Sequence, residues 1–250
     1  MARSLNSGDS NSAECRCEVS PDRACLMSVS EVDLTPPRRP YSNAEVKLDA
    51  MVHVFGLAFA IAASVSLIDA ASAHDPQRLS AVCIYAFSMT AMFLASAAYN
   101  VGFGSRFRPL FRRCDHSAIF LLIAGTYTPF TLHLHTGFAS FLLTAAIWLA
   151  AGAGIFMKFR APLLFEKFSD AIYLALGWAS IPVILPLASV MPTLSLALIT
   201  TGGVLYSVGV VFHRWERLIF HNAIWHAFVL LACICHYQSI LTGVVLNPVG

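Results

Sequence analysis

Residues 171–213 have the sequence AIYLALGWASIPVILPLASVMPTLSLALITTGGVLYSVGVVFH and contain no Asp, Glu, Lys or Arg. A transmembrane helix needs about 20 mainly apolar residues to cross roughly 30 Å of hydrocarbon. This run is long enough for two such helices, and Pro186 and Pro192 mark a short turn between them. It therefore predicts a helical membrane protein, with Pro182 as the site of a kink in the first of the two helices.

The composition of the whole chain indicates the same class. Hydrophobic residues make up 57% of the 250 residues and charged residues only 12%, whereas a soluble domain has about 25% charged residues. The net charge of +2 gives no reason to expect a nucleic-acid partner. Because charged and serine-rich sequence is concentrated before residue 45 and holds no apolar core for a signal peptide, we expect a disordered polar cytoplasmic tail over 1–44 and a membrane domain over 45–250.

Uncharged runs between successive charges predict an all-α, seven-helix transmembrane bundle. The predicted helices cover residues 50–69, 80–103, 116–134, 138–157, 171–187, 193–212 and 222–246. With this count, residues 1–48 and the loops 105–114, 158–169 and 213–221 lie on one side of the membrane and hold 15 Lys and Arg residues, against Arg78 alone on the other side. Since Lys and Arg accumulate in cytoplasmic loops, we expect a cytoplasmic N-terminus in the plasma or inner membrane.

Polar side chains on three of the predicted helices converge near the cytoplasmic face. They are Ser96 and Asn100 at the inner end of the second helix, Asp115 and His116 in the first turn of the third, and Asn222 and His226 in the first two turns of the seventh. Residues four apart share one face of a helix, so Ser96 lies beside Asn100 and Asn222 beside His226. His53 lies at a similar depth in the first helix.

Two interpretations of these residues stay open. Ser, Asn and His at helix contacts often form interhelical hydrogen bonds, each contributing about 0.6–2 kcal/mol to stability, and Asp115 at a helix start could simply offset the helix dipole. Alternatively, the same residues form a functional pocket, because polar and ionisable groups inside a membrane are costly and usually serve a purpose.

The segment 112–130, RRCDHSAIFLLIAGTYTPF, resembles the third-helix signature of the haemolysin III family, which is related to the adiponectin and progestin receptors. Three weaker matches occur in the expected order along the chain. They are the first-helix pattern of Glu45, His53 and Gly56, the second-helix run Ser96-Ala97-Ala98-Tyr99, and Ala223-Ile224-Trp225-His226 with Cys235-His236 in the seventh helix. The resemblance covers about residues 41–245.

This resemblance implies a zinc site near the cytoplasmic face. In the family, a Ser-x3-His motif on helix two supplies one histidine ligand, a His-x3-His motif on helix seven supplies two, and an aspartate on helix three holds a zinc-bound water. Ser96, Asp115 and His226 match, but Asn100 and Asn222 stand at the other two ligand positions. An amide oxygen is a poor donor to Zn²⁺, so this departure puts zinc as a cofactor in doubt. His221, about 140° away from His226 around the helix, could replace a ligand only if the helix unwinds.

Three functions follow as hypotheses, each with membrane lipid as the partner. The first is a non-catalytic membrane protein with a degenerate metal pocket, which binds a lipid or senses the state of the membrane. The second is a zinc-dependent hydrolase of a lipid amide or ester, with Asp115 as the base and Ser96 orienting the substrate or water. The third is a membrane-lytic or pore-forming protein, although the clustering of polar residues at one end does not favour a pore.

Overall fold

The computed structural model describes residues 41–102, 105–133, 138–179, 188–189 and 191–247. Over these ranges the chain forms seven α-helices and no strand, which confirms the all-α class. The helices are α1 (Asn43–Ser72), α2 (Pro76–Val101), α3 (Arg108–His133), α4 (Phe138–Arg160), α5 (Pro162–Trp178), α6 (Thr193–Arg214) and α7 (His221–Ile240), which a π-helical turn (Leu241–Val245) continues. The predicted kink at Pro182 and the turn at Pro186 lie outside the described residues.

Five of these helices, namely α1, α2, α4, α6 and α7 with its π-helical turn, are long and apolar enough to cross a membrane. Their outer faces carry exposed large apolar side chains such as Val54, Phe87 and Leu149, which are 69%, 67% and 74% exposed. Such a surface is stable against lipid and not against water. Helix α3 is less apolar because its first turns carry three arginines and Asp115. Its Thr126 and Thr128 each donate to the carbonyl four residues earlier, at 2.7 and 2.9 Å.

Several helices begin earlier than the uncharged runs predicted, because polar residues cap them. Ser42 and Glu45 form a capping box at the start of α1, and Asp75 accepts a hydrogen bond from the Arg78 backbone N–H at 2.8 Å at the start of α2. Helix α3 begins at Arg108, inside the predicted loop 105–114. The expectation that Asp115 lies in the first turn of its helix is therefore wrong: it lies about two turns in.

The packing places α1, α2 and α7 together at one end of the bundle. Helix α2 packs against α1 and α3, α7 packs against α6, and α1 also contacts α7. Close approach of α1 and α2 depends on Gly56, because a Cβ there would lie 2.5 Å from the Phe93 ring. At the start of α1, the Phe220 backbone N–H donates to Glu45 Oε1 at 3.1 Å, so α1 and α7 begin side by side. At the far end, Arg78 Nη1 donates to the Val245 carbonyl at 3.3 Å.

Candidate functional site

The first three turns of α1 carry a buried polar stripe that the rest of the helix lacks. Glu45, Asp49 and His53 follow one another at intervals of four residues and are only 3%, 7% and 4% exposed. This spacing places them on one face of the helix. The buried positions that continue this face, from Gly56 to Ala71, carry no polar side chain. The buried polar side chains of α1 are therefore confined to the end of the helix that lies beside the start of α7.

The Asp49 carboxylate joins α1 to α7. His226 Nδ1 donates to Asp49 Oδ1 at 2.6 Å, and Asn222 Nδ2 donates to Asp49 Oδ2 at 3.0 Å. A buried carboxylate is strongly destabilising unless such donors surround it. Residues 222 and 226 lie one turn apart on α7, so both reach the same carboxylate.

His53 contributes a ring nitrogen that acts as an acceptor in this cluster. Its Nδ1 donates to the Asp49 carbonyl at 2.7 Å, which leaves Nε2 as the acceptor of the neutral imidazole. Nε2 lies 3.2 Å from Ser96 Oγ and 3.3 Å from Asn100 Nδ2. The ring also meets the His226 ring edge-on, with 4.3 Å between the ring centroids. His53 therefore links α1 to both α2 and α7.

The α2 and α3 residues complete the cluster. Asn100 Nδ2 donates to the Ser96 carbonyl at 2.9 Å, and Asn100 Oδ1 accepts from Asn222 Nδ2 at 3.3 Å. The Asp115 side chain of α3 lies near Ser96 and in the electrostatic field of His226. We call this set, with Asp49 and His53, the polar cluster.

Five of the six residues whose convergence the sequence predicted come together here, namely Ser96, Asn100, Asp115, Asn222 and His226. The sixth, His116, contacts Lys158 instead. The described bonds of Asn222 go to Asp49 and Asn100, and Asn100 also bonds the Ser96 carbonyl. The catalytic roles of Ser96 and Asp115 and the ligand role of His226 stay predictions.

Sequence reasoning missed Asp49 altogether and gave His53 only a depth. A signal for both was available, because Glu45, Asp49 and His53 form an acidic and histidine series at four-residue intervals ahead of an apolar run.

The other histidines that were considered have described bonds elsewhere. His116 Nδ1 lies 3.1 Å from Lys158 Nζ, His221 Nε2 lies 3.4 Å from Tyr41 Oη, and His236 Nε2 lies 3.2 Å from the Ile199 carbonyl.

The residues at the family's zinc-ligand positions do not fit zinc. Of the three, only His226 offers an imidazole. The amide of Asn222 turns its N–H groups toward Asp49 and Asn100, and the Asn100 oxygen already accepts one of these bonds. Zinc sites need nitrogen, sulfur or carboxylate donors with free lone pairs. Within the described residues, the one grouping of three potential metal ligands is a different one: Asp49, His53 and His226.

Apolar helices that enclose a polar cluster at one end define a multi-pass helical membrane protein with a polar pocket. The chain belongs to the haemolysin III family, because the family described as Haemolysin-III related matches residues 42–237. It is 40% identical to Hemolysin-3 of Bacillus cereus over 183 residues, which are 73% of this chain and 84% of that protein.

Two further relatives extend the comparison. The chain is 36% identical to a Hemolysin-3 homolog of Bacillus subtilis (strain 168), over 73% of this chain and 86% of the relative. It is 30% identical to the human Monocyte to macrophage differentiation factor, over 63% of this chain and 67% of that protein. These matches confirm the resemblance that the third-helix segment indicated, including the relation to the adiponectin and progestin receptors.

Proposed function

We propose that the chain is a seven-span protein of the plasma or inner membrane with a cytoplasmic N-terminus, in which residues 1–44 form a polar tail and residues 45–250 the membrane domain. The support is the charge distribution, with 15 Lys and Arg residues on the predicted inner side and Arg78 alone outside. The polar cluster then lies at the cytoplasmic ends of α1, α2 and α7, near the headgroups of the inner leaflet.

We further propose that the polar cluster binds the headgroup of a membrane phospholipid without hydrolysing it, as a lipid-binding or lipid-sensing site. The observation that carries this proposal is the hydrogen bonding of Asn222 to Asp49 and Asn100. Amides hold the two positions where the family has imidazoles, so the family's own ligand set, which would lower the pKa of a metal-bound water, is incomplete. Amide, hydroxyl and imidazole groups still suit the ester and phosphate oxygens of a headgroup.

The surroundings of the cluster favour a phosphate-bearing lipid. Asn100, Asn222 and His226 are half-buried and so are not sealed inside the bundle. Arg112 and Arg113 lie three and two residues before Asp115 on α3 and are half-buried as well. Arginine beside an inner-leaflet surface attracts anionic headgroups.

The test is to purify the full chain in polymer nanodiscs and to measure phospholipid that stays bound after detergent exchange. Asn222→Leu should lower the bound phospholipid, whereas Gln238→Ala, a change of an exposed polar residue on the same helix, should not. Zinc-supplemented wild-type protein should release no fatty acid from phospholipid or ceramide vesicles. Release of fatty acid that Asp115→Asn abolishes would overturn the non-catalytic part of the proposal.

A second candidate function is hydrolysis of a lipid amide or ester. One observation favours it: Asp115 lies near Ser96 and near His226, whose ring meets that of His53. A carboxylate in this place can take a proton from water, and a serine hydroxyl can orient a carbonyl oxygen. The fatty-acid assay separates this candidate from the first.

Membrane lysis, which the names of the Bacillus relatives suggest, has weaker support. A pore requires polar groups along the whole length of its lining. The buried face of α1 is polar only from Glu45 to His53 and is apolar from Gly56 to Ala71. Liposomes of phosphatidylglycerol and phosphatidylethanolamine that contain the folded protein should therefore retain a trapped dye; rapid dye release would favour lysis instead.

A further inference from the structure

We propose that Asp49, His53 and His226 bind a divalent transition-metal ion, with zinc as the best match, between the first and the last helix. One donor atom from each residue lies within 4.8 Å of the other two. In a tetrahedral zinc site with bonds of 2.0–2.1 Å, the donor atoms are about 3.4 Å apart. The three side chains thus need only small movements to close around an ion, and two of them already touch at 2.6 Å.

The donor set has the right chemistry for such an ion. Two imidazoles and one carboxylate are the ligands of many zinc and non-haem iron sites. They are not the residues at the family's ligand positions, because Asp49 and His53 both lie on α1 and only His226 is shared. The site goes beyond the proposed function, since binding an ion requires neither a lipid nor hydrolysis.

Neighbouring hydrogen bonds prepare the donors. The bond from His53 Nδ1 to the Asp49 carbonyl fixes the tautomer in which Nε2 carries the lone pair, and an ion bound there would displace the 3.3 Å contact from Asn100 Nδ2. Asn222 Nδ2 holds the second carboxylate oxygen of Asp49 at 3.0 Å. Metal-bound histidines and carboxylates are oriented by hydrogen bonds of this kind.

Burial and charge also favour a cation. Asp49 and His53 are 7% and 4% exposed, and a second carboxylate, Asp115, interacts electrostatically with both Asp49 and His226. The carboxylates of Asp49 and Asp115 repel each other, and a nearby divalent cation would offset this repulsion. A divalent ion would take the place of the proton between His226 Nδ1 and Asp49 Oδ1, and that proton would leave to solvent or move to Nε2.

The test uses the full-length chain in detergent, stripped with a chelator and titrated with Co²⁺ and Zn²⁺. Calorimetry should give one site per chain, and the visible absorption of Co²⁺ should show a four- or five-coordinate nitrogen and oxygen environment. Asn222→Ala removes an outer hydrogen-bond partner of a ligand and should weaken metal binding roughly 10- to 100-fold. A larger loss of affinity is expected for each variant that removes a ligand, namely Asp49→Asn, His53→Gln and His226→Gln. His74→Gln, at an exposed histidine outside the cluster, should bind as the wild type does.

The wild type alone also tests the proposal, in case a variant does not fold. Zn²⁺ should raise the unfolding temperature of the stripped protein, because an ion that binds only the folded state stabilises it, and Mg²⁺ should not. Absence of one-site binding and of a Zn²⁺-dependent shift would overturn the site. So would full affinity in His53→Gln, which would place the ion elsewhere. Neither result bears on whether the cluster retains phospholipid, so the two proposals fail separately.

Discussion

His226 Nδ1 on α7 lies 2.6 Å from Asp49 Oδ1 on α1, and this contact joins the last helix of the bundle to the first. The carboxylate also accepts from Asn222 at 3.0 Å, and its side chain is only 11% exposed. An aspartate that was cut off from water without these two donors would be costly. The contact is thus a structural element in its own right, with or without a bound ion.

Asp49→Asn should destabilise the protein. An asparagine amide must turn an N–H group toward either His226 or Asn222, both of which are donors in this contact. Loss of hydrogen bonds to a charged group costs about 1.5–3 kcal/mol each, so the unfolding temperature in metal-free detergent solution should fall by several degrees. Asp69→Asn changes an exposed aspartate of the same helix and should have little effect. Equal unfolding temperatures for the two variants would contradict this account.

The membrane-spanning helices were predictable because the hydrocarbon of a lipid bilayer excludes charged residues from the helices that cross it. The run predicted at 193–212 corresponds to α6 (Thr193–Arg214), in which the one charged residue is the last, Arg214. The starts of helices were less predictable, because a capping residue such as Ser42 or Asp75 extends a helix beyond its apolar core.

The same rule explains why Asp49 was missed. Counting uncharged residues began the first span at residue 50 and so left Asp49 just outside the predicted helix. Convergence of Ser96, Asn100 and His226 was predictable, because their depth follows from the charge distribution. Which of them touch depends on the rotation of each helix about its axis, and single-sequence spacing does not fix that rotation.

The seven-span arrangement predicts the accessibility of two exposed loop positions. In a background with the native cysteines replaced by serine, His74→Cys should react with a membrane-impermeant maleimide in intact cells. Arg217→Cys should react only after the membrane is disrupted, because it lies in a loop predicted to be cytoplasmic. Both residues are exposed, so differences in burial do not account for the contrast. Labelling of Arg217→Cys in intact cells would contradict the cytoplasmic N-terminus.

Lys158→Met should destabilise the packing of α3, α4 and α5. Lys158 is 2% exposed, and its Nζ lies 2.8 Å from Ser169 Oγ and 3.1 Å from His116 Nδ1. The lysine thereby connects the end of α4 to both neighbouring helices, and loss of a charged hydrogen bond costs about 1.5–3 kcal/mol. Arg160→Met removes an exposed positive charge two residues later and should leave the unfolding temperature nearly unchanged. If the two variants unfold together, the buried lysine does not stabilise this contact.

Two glycines on α4 provide a matched test of how tightly α3 and α4 pack. A Cβ at Gly154 would lie 2.5–2.7 Å from atoms of the fully buried Phe120 ring, whereas a Cβ at Gly152 would have no neighbour within 4 Å. Overpacking of a core costs about 1–3 kcal/mol, while alanine in an open helical position gains about 1 kcal/mol over glycine. We therefore expect Gly154→Ala to lower the unfolding temperature in detergent and Gly152→Ala to keep or raise it. The opposite order would mean that Phe120 moves aside at little cost and that the α3–α4 contact is loose.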